Sequence, residues 1–442
     1  MPGAILQLAA YGPQDKILTG NPQITYFVSI YKRYTNFAVQ HVELLFNGQI
    51  DFGKKVYCDI DRIGDLVNDL LLYFELPDIN QILDDSSNEY YWINSVGNAL
   101  IKYIDISIGE NIIDRHYGMW LNIWSELTLP VSKKIAYNKM IGKVDGNTNI
   151  NPNNKGSLRL YVPQFFWFCK NLGSSLPIIG LQNSVVRVHL LVRDLNELII
   201  SSSGEQLTQN QVANIHLTRG SMYVKYIFLD DNERKFFAQQ RLQYLIEQIQ
   251  VIPTSLNVNG RTENENVVSV NKFEHLVSLD FNHPIKELLW VIQRPEVISN
   301  YDENGELISY GGNQWFNFTN NIYTMRNNLI HNGLLRSAKL MLEGKDRFDK
   351  LNAEFFNVVY PYYYHSSPNN FTNFIYVYSF SEDPENFQPM GSCNFSRIDS
   401  KTFYVELDNN STFTENPIIT FFAVNYNLLL IQGGLATIGY VN

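Results

Sequence analysis

The sequence is poor in cysteine and in charge. Its three cysteines, Cys58, Cys169 and Cys393, are far apart and show no Cys-x-x-Cys spacing. This pattern argues against a disulfide framework and suits a reducing compartment. Charged residues make up only 18% of the chain, whereas aromatic residues make up 14%. Soluble domains usually carry about 25% charged residues, so the composition predicts surfaces that are covered by partners.

A basic excess is also lacking. The formal net charge is −10 and the isoelectric point is about 5.3. Nucleic-acid-binding proteins usually carry a basic patch, so the acidity disfavours that function. The run "YFVSIYKRYTNF" (26–37) interleaves aromatic residues with Lys32 and Arg33, which is compatible with base stacking. Because these two cations stand nearly alone, we expect no direct nucleic acid binding.

Long apolar runs and targeting signals are missing as well. The opening "MPGAILQLAAYGPQDK" has no basic segment followed by an apolar one, as a signal peptide would. No apolar run reaches the roughly 18 residues that span a bilayer. We therefore expect synthesis in the cytosol.

Short apolar segments with β-forming residues dominate the chain. Clusters of Asn, Gly, Pro and Ser separate them, as is typical of strands. This density of strands predicts an all-β protein built from sandwiches or barrels. The predicted strands cover residues 69–76, 103–109, 159–168, 185–192, 222–229, 287–293, 338–344, 374–380, 402–407 and 421–431.

Helical patterns are few. "MWLNIWSEL" (119–127) places its apolar residues at helical spacing, and "DDNERKFFAQQR" (230–241) begins with acidic capping residues. Residues 1–26 combine glycines and prolines with apolar side chains that would be poorly solvated if the segment hung free. We expect them to form an irregular arm that packs against another surface.

The chain also repeats itself in order. The segment 68–77 resembles 286–295, and "DISIGENIIDRH" (105–116) resembles "KLMLEGKDRFDK" (339–350). The segments 160–168 and 185–192 resemble 374–380 and 402–407 in the same way. These pairs are separated by roughly 212 to 235 residues, which predicts a duplicated unit of about 200 residues. The helix at 230–241 would link the two copies.

Signatures of catalysis are weak. The chain contains no HExxH, GxSxG or GxxxxGK[ST] motif. We assign no catalytic, cofactor-binding or metal-binding residue and expect no cofactor. A β-sandwich protein that binds carbohydrate or cleaves glycosides stays open as an alternative, since two distant carboxylates could meet in a cleft.

Five Asn-x-Ser/Thr sequons are possible glycosylation sites. They begin at Asn317, Asn370, Asn394, Asn409 and Asn410.

One extended stretch identifies a family. "LQLAAYGPQDKILTGNPQITYFVSIYKRYTNFAV" (6–39) resembles the N-terminal signature of major capsid proteins of large icosahedral DNA viruses of eukaryotes. Further matches are "YIFLDDNERKFFAQ" (226–239), "FNHPIKELLW" (281–290), "SCNFSRID" (392–399) and "AVNYNLLLIQGGLATIGYVN" (423–442).

The resemblance implies a double jelly roll, meaning two consecutive eight-stranded antiparallel jelly rolls. The expected domains are an assembly arm (1–26), a first jelly roll (27–229), a helical linker (230–241) and a second jelly roll (242–442). The family also implies a homotrimeric, pseudo-hexagonal capsomer that contacts neighbouring capsomers in the virion shell.

The resemblance further implies that the arm faces minor capsid proteins and an internal membrane, after assembly in the host cytoplasm. Residues expected in that contact are Tyr11, Gln14, Asp15, Thr19, Gly20, Asn21 and Pro22. Alternatively, Thr19 to Pro22 is only a turn that fixes the exit of the arm.

Overall fold

The computed structural model divides the chain into two compact units, residues 1–37 and 38–442. The structure describes residues 3–84, 88–144, 154–202, 207–258, 266–298, 300–301, 307–309, 312–320, 332–367, 373–409, 411 and 413–440.

The N-terminal unit contains two short helices, α1 (Gly3–Ala9) and α2 (Lys16–Thr19). The expectation of an irregular arm was therefore wrong for these two stretches. Residues 4–9 contain only Ala, Ile, Leu and Gln, and Ala, Leu and Gln favour helix. The glycines and prolines lie outside this stretch, so they end the helices without preventing them.

The first half of the large unit is a β-sandwich. One sheet has the strand order β1-β10-β3-β7 and the other has the order β2-β8-β5-β6, while β4 pairs with β9. Among the eight long strands, the first, eighth, third and sixth share one sheet, which is the arrangement of a jelly roll. The strands are β1 (Phe37–Leu45), β2 (Lys55–Asp59), β3 (Leu66–Leu76), β4 (Tyr90–Trp92), β5 (Ile101–Ile108), β6 (Asn111–Tyr117), β7 (Leu158–Pro163), β8 (Val186–Val192), β9 (Ile199–Ser201) and β10 (Arg219–Leu229).

The second half repeats this topology. One sheet has the order β11-β23-β14-β20 and the other has the order β12-β13-β22-β17-β18. Short strands β19, β21 and β24 extend these sheets, and β15 pairs with β16. The strands are β11 (Leu242–Ser255), β12 (Val267–Ser269), β13 (Glu274–Ser278), β14 (Pro284–Gln293), β15 (Asn300–Tyr301), β16 (Leu307–Ser309), β17 (Leu335–Leu342), β18 (Lys345–Asp346), β19 (Leu351–Asn352), β20 (Tyr376–Ser379), β21 (Cys393–Asn394), β22 (Lys401–Leu407), β23 (Ile418–Gln432) and β24 (Leu435–Ile438).

Short helices fill the connections between strands. In both jelly rolls, a helical segment follows the hairpin of the fourth and fifth long strands. In the second roll this segment is a π-helix, Phe355–Val359, that continues into an α-helix. The helices of the large unit are α3 (Ile79–Leu83), α4 (Val96–Leu100), α5 (Gly118–Thr128), α6 (Val131–Ile141), α7 (Trp167–Lys170), α8 (Gln209–Val212), α9 (Asp231–Gln239) and α10 (Tyr360–Tyr364).

The repeated segments of the sequence take equivalent positions in the two jelly rolls. The pair 68–77 and 286–295 corresponds to β3 and β14, and each of these is the third strand in the order of its sheet. The second pair corresponds to the hairpins β5–β6 and β17–β18, and the last pairs correspond to β7 with β20 and β8 with β22. The two-layer, all-β fold predicted from the sequence is therefore confirmed.

One predicted strand ends early. The apolar run 159–168 is a strand only as far as Pro163, and α7 begins at Trp167. Proline has no N–H for a sheet ladder, so it suits the end of a strand. The aromatic side chains beyond it pack inwards instead. Phe166 and Phe168 are buried and stack with ring centroids 5.9 Å apart.

Candidate assembly interface

Part of the predicted arm motif forms a local turn in the N-terminal unit. Gly12 N donates to Asp15 Oδ2 over 2.7 Å, and Thr19 Oγ1 lies 3.2 Å from Tyr11 OH. Gly20 N donates to Lys16 O over 3.0 Å as α2 ends, and a Cβ on Gly20 would overlap that oxygen. These bonds connect Tyr11, Asp15, Thr19 and Gly20 to neighbouring residues of the N-terminal unit.

The end of the turn needs unusual backbone geometry. Asn21 has a φ of 52°, in the left-handed region that asparagine tolerates better than most residues. Pro22 follows directly, and Gln14 is exposed. The structure thus supports the reading of Thr19 to Pro22 as a turn, and a contact with a partner remains a proposal.

Large apolar side chains of the N-terminal unit face solvent. Ile17 and Leu18 are each 86% exposed, and Phe27 is 96% exposed. Burying one such side chain yields about 1.5–3 kcal/mol, so a run of them favours association. The set comprises Ile5, Leu6, Leu8, Tyr11, Ile17, Leu18, Ile24, Tyr26, Phe27, Val28, Ile30, Tyr31 and Tyr34.

The two jelly rolls meet at a buried junction, which begins at α5. Trp120 stacks on Trp124 with ring centroids 5.1 Å apart, and Trp120 lies 5.7 Å from Phe422 in β23 of the second roll. Trp120 and Phe422 are both buried. The apolar face predicted for residues 119–127 therefore packs against the other jelly roll.

Backbone groups join the rolls beside this helix. Ile249 N in β11 donates to Asp114 Oδ1 in β6 over 3.1 Å, and Gln248 donates to the carbonyl oxygen of Ile113. Ser367 N donates to Leu127 O over 2.9 Å. These hydrogen bonds fix the position of one roll along the other, because buried polar groups need partners.

A cluster of three charged side chains crosses the junction, and one of them, Lys286, is buried. Glu247 of the second roll binds Lys286 of the same roll and Lys170 of the first roll. Lys286 is fully buried and also donates to Pro384 O over 2.6 Å. Burial alone would raise the pKa of Glu247, but the two ammonium groups outweigh it and lower that pKa to about 2. Removing Glu247 would leave the buried ammonium group of Lys286 without its countercharge.

A second charged group lies at the same junction. His365 is buried, with Nε2 2.6 Å from Glu287 Oε1 and Nδ1 2.9 Å from Glu385 Oε1. Its ring meets Trp124 of the first roll edge-on, with centroids 6.3 Å apart. Burial alone would lower the pKa of His365, but the two carboxylates raise it to about 9. Both ring nitrogens therefore carry protons at neutral pH.

A third contact lies elsewhere along the junction. Asn313 Nδ2 donates to Asn196 O over 2.7 Å, and Trp315 Nε1 donates to Glu197 O over 2.9 Å. The Arg193 guanidinium stacks on Trp315 at 3.6 Å from the ring centroid. Sequence reasoning missed these residues, because the partners lie more than a hundred positions apart and no local motif marks them.

Evidence for a catalytic centre is weak. A cleft of about 390 Å³ is lined by Asp51, Glu197 and His216, among others. Asp51 is bound by His216 Nδ1 at 2.7 Å, and Glu197 by Arg193 at 3.0 Å. Carboxylates held in this way do not support the glycoside-cleaving alternative.

The residues that the structure describes contain no group of three or more His, Cys, Asp or Glu side chains able to hold a metal ion. In the same part of the chain, no helix is long and apolar enough to cross a membrane.

The sequons differ in accessibility. Asn317 is 1% exposed, its Nδ2 donates to Gln314 Oε1 over 2.7 Å, and its Oδ1 accepts from Thr319 N. This burial leaves no room for a glycan on the folded chain. Asn394 and Asn409 are exposed and remain possible sites. Asn370 and Asn410 lie outside the described residues.

Comparison with known proteins gives consistent matches. The family described as "Major capsid protein N-terminus" matches residues 25–230, and "Large eukaryotic DNA virus major capsid protein" matches residues 233–437. The chain is 33% identical to the major capsid protein of Phaeocystis pouchetii virus and 32% identical to that of Paramecium bursaria Chlorella virus 1, with 100% of each chain covered.

A solved structure agrees. The crystal structure of the PBCV-1 VP54 protein is 27% identical and superposes with a TM-score of 0.73, covering 95% of this chain and 100% of that chain. The double jelly roll and the structural, non-enzymatic role expected from the sequence are thereby confirmed. The chain belongs to the family of major capsid proteins of large eukaryotic DNA viruses.

Proposed function

We propose that this chain forms homotrimeric, pseudo-hexagonal capsomers that tile the icosahedral shell of a large DNA virus. The observation that carries the proposal is the junction, which holds two jelly rolls of equal strand order side by side. Three such chains supply six similar wedges around a threefold axis, and heterologous contacts close the ring. Such wedges fit a hexagonal lattice of neighbouring capsomers.

The N-terminal residues have a separate proposed role. We infer that residues 1–26 are an assembly arm, followed by jelly rolls at 27–229 and 242–442 with a linker at 230–241. The family matches, which meet near residue 230, support this division. The exposed apolar side chains of the arm support a contact with minor capsid proteins and the internal membrane side of the shell.

We also propose where the shell is assembled. Synthesis and assembly in the host cytoplasm agree with three unpaired cysteines. The net charge of −10 disfavours direct contact with the genome.

Class averages of the purified protein by electron microscopy test the capsomer directly. We expect particles with a hexagonal outline and threefold symmetry. Particles of the size of one chain at all concentrations would contradict the proposal.

Deletion of residues 1–20 tests the arm. The truncated chain should keep the hexagonal particles and lose co-assembly with minor capsid proteins into shells. A second variant replaces Ile17 and Leu18 with alanine and leaves the chain length unchanged. It should also impair assembly, because it removes two of the exposed apolar side chains. Unfolding of the truncated chain would argue that the arm belongs to the jelly-roll core.

A further inference from the structure

A cleft lies at one end of the second jelly roll. Its volume is about 500 Å³, which is within the range of small-molecule sites. Its walls come from the start of β17, the helical segment after β19, the start of β20 and the residue after β22. The register joins these parts, because Leu335 at the start of β17 lies opposite Leu407 at the end of β22.

A buried hydrogen-bond acceptor lines the cleft. Asn357 is 4% exposed, and its Oδ1 has no hydrogen-bond partner among the described residues. An unsatisfied buried acceptor lowers stability, so native chains rarely keep one without a reason. Asn357 also lies in the π-helix Phe355–Val359, and single π-helical turns occur frequently at functional sites.

A buried hydroxyl lines the same cleft. The ring of Tyr376 stacks on Trp290 in the core, with centroids 5.8 Å apart, and the residue is 1% exposed. Burial raises the pKa of Tyr376, so the hydroxyl keeps its proton at neutral pH. Among the described residues, that proton has no acceptor. The cleft therefore holds one acceptor that needs a donor and one donor that needs an acceptor.

An aromatic ring on a strained backbone completes the wall. Phe374 has a φ of 51°, in the left-handed region that a bulky residue rarely adopts. Such strain is often found at ligand sites, where the surrounding structure holds it in place. Gly333 lets the chain pass close by, since a Cβ there would lie 2.6 Å from Phe374 Cδ1 and 2.5 Å from Tyr376 OH.

The charges of the cleft narrow the choice of ligand. Arg336 pairs with Glu406 over 3.5 Å, whereas Glu354 and Asp408 add two carboxylates to the lining. This excess of negative charge disfavours anions such as phosphate or sulfate. An ammonium group has donors only, so it would leave the Tyr376 proton without an acceptor. A purely apolar ligand would leave both buried polar atoms unsatisfied.

We propose that this cleft binds a neutral saccharide. A sugar hydroxyl both donates and accepts hydrogen bonds, so hydroxyls supply the partners that Asn357 Oδ1 and the Tyr376 proton lack. The ring of Phe374 offers an apolar surface to the C–H groups of the sugar. Saccharide binding is a second function, in addition to the assembly of the shell.

Saturation-transfer NMR on the purified full-length chain tests the binding. The probes are the methyl glycosides of glucose, galactose, mannose and N-acetylglucosamine, with N-acetylneuraminic acid as an anionic comparison. We expect saturation transfer to at least one neutral glycoside and none to the acid. Transfer to the acid alone, or to no probe, would overturn the proposal.

Two substitutions link the binding to the cleft. Tyr376→Phe removes only the hydroxyl, and Asn357→Leu removes the amide at similar size. Each should lower the transfer at least about fivefold, because each removes a hydrogen bond to the ligand. The matched control is Tyr57→Phe, on β2 of the first roll and 38% exposed, which should leave the transfer unchanged. Equal transfer in wild type, Tyr376→Phe and Asn357→Leu would place the ligand elsewhere and refute the site.

Urea unfolding separates a ligand-binding role from a folding role. Because the two polar atoms have no partner within the described chain, their removal should leave the unfolding midpoint unchanged or higher. Lower midpoints in both variants would show that the atoms serve the fold, against the proposal. If Asn357→Leu alone fails to fold, Tyr376→Phe decides the matter. The capsomer is tested separately by its mass and outline, so it stands whichever result is found here.

Discussion

His365 should make the stability of the protein depend on pH above neutrality. Its imidazolium is enclosed by Glu287 and Glu385 at the junction of the two rolls. The folded chain therefore holds this proton more tightly than the unfolded chain does. The stabilisation is complete below pH 6.5 and is lost as the pH rises towards 9.

The magnitude follows from the two pKa values. The difference between the ordinary value of 6.5 and a value of about 9 corresponds to about 3 kcal/mol of unfolding free energy. Glu385 does not contribute in this range. Burial would raise its pKa, but the hydrogen bond from His365 lowers it, so it titrates only in acid.

Urea unfolding followed by tryptophan fluorescence measures the effect. Wild type should lose about 3 kcal/mol between pH 6 and pH 9.5 beyond the loss in a double variant, His365→Gln with Glu287→Gln. The double variant keeps side chains of similar size and removes the central ion pair. Equal losses in both proteins would refute the claim that a buried imidazolium stabilises the junction.

Three further predictions concern packing and modification. Trp120→Ala should lower the free energy of unfolding by about 3–5 kcal/mol in urea, whereas Leu172→Ala, at an exposed position, should change it by less than about 0.5 kcal/mol. Gly118→Ala should destabilise by about 1–3 kcal/mol in the same assay, since its Cβ would overlap Asn98 O at the start of α5. Mass spectrometry of peptides from virions should find Asn317 unmodified, because that side chain is buried.

Strand content and duplication could be predicted because both depend on local patterns. Short β-forming runs between turn residues gave β3, β8, β10 and β22, and their repetition in order gave two sandwiches. Strands β1, β2, β6, β11 and β13 were among those missed. Strands β2 and β13 are only five residues long, and polar residues interrupt the apolar positions of all five.

The junction could not be predicted from the sequence. His365 and its carboxylates are 78 and 20 positions apart, and Lys170 is 77 positions from Glu247. Their proximity depends on how two sandwiches pack, which no periodicity encodes. In the N-terminal unit, by contrast, the hydrogen bonds are local. Asp15, Thr19 and Gly20 each bond to a residue three or four positions away.

Light scattering behind a sizing column measures whether the purified protein is a trimer. We expect a stable species near three times 51.1 kDa that persists on dilution. A clean monomer over a wide range of concentration would contradict it.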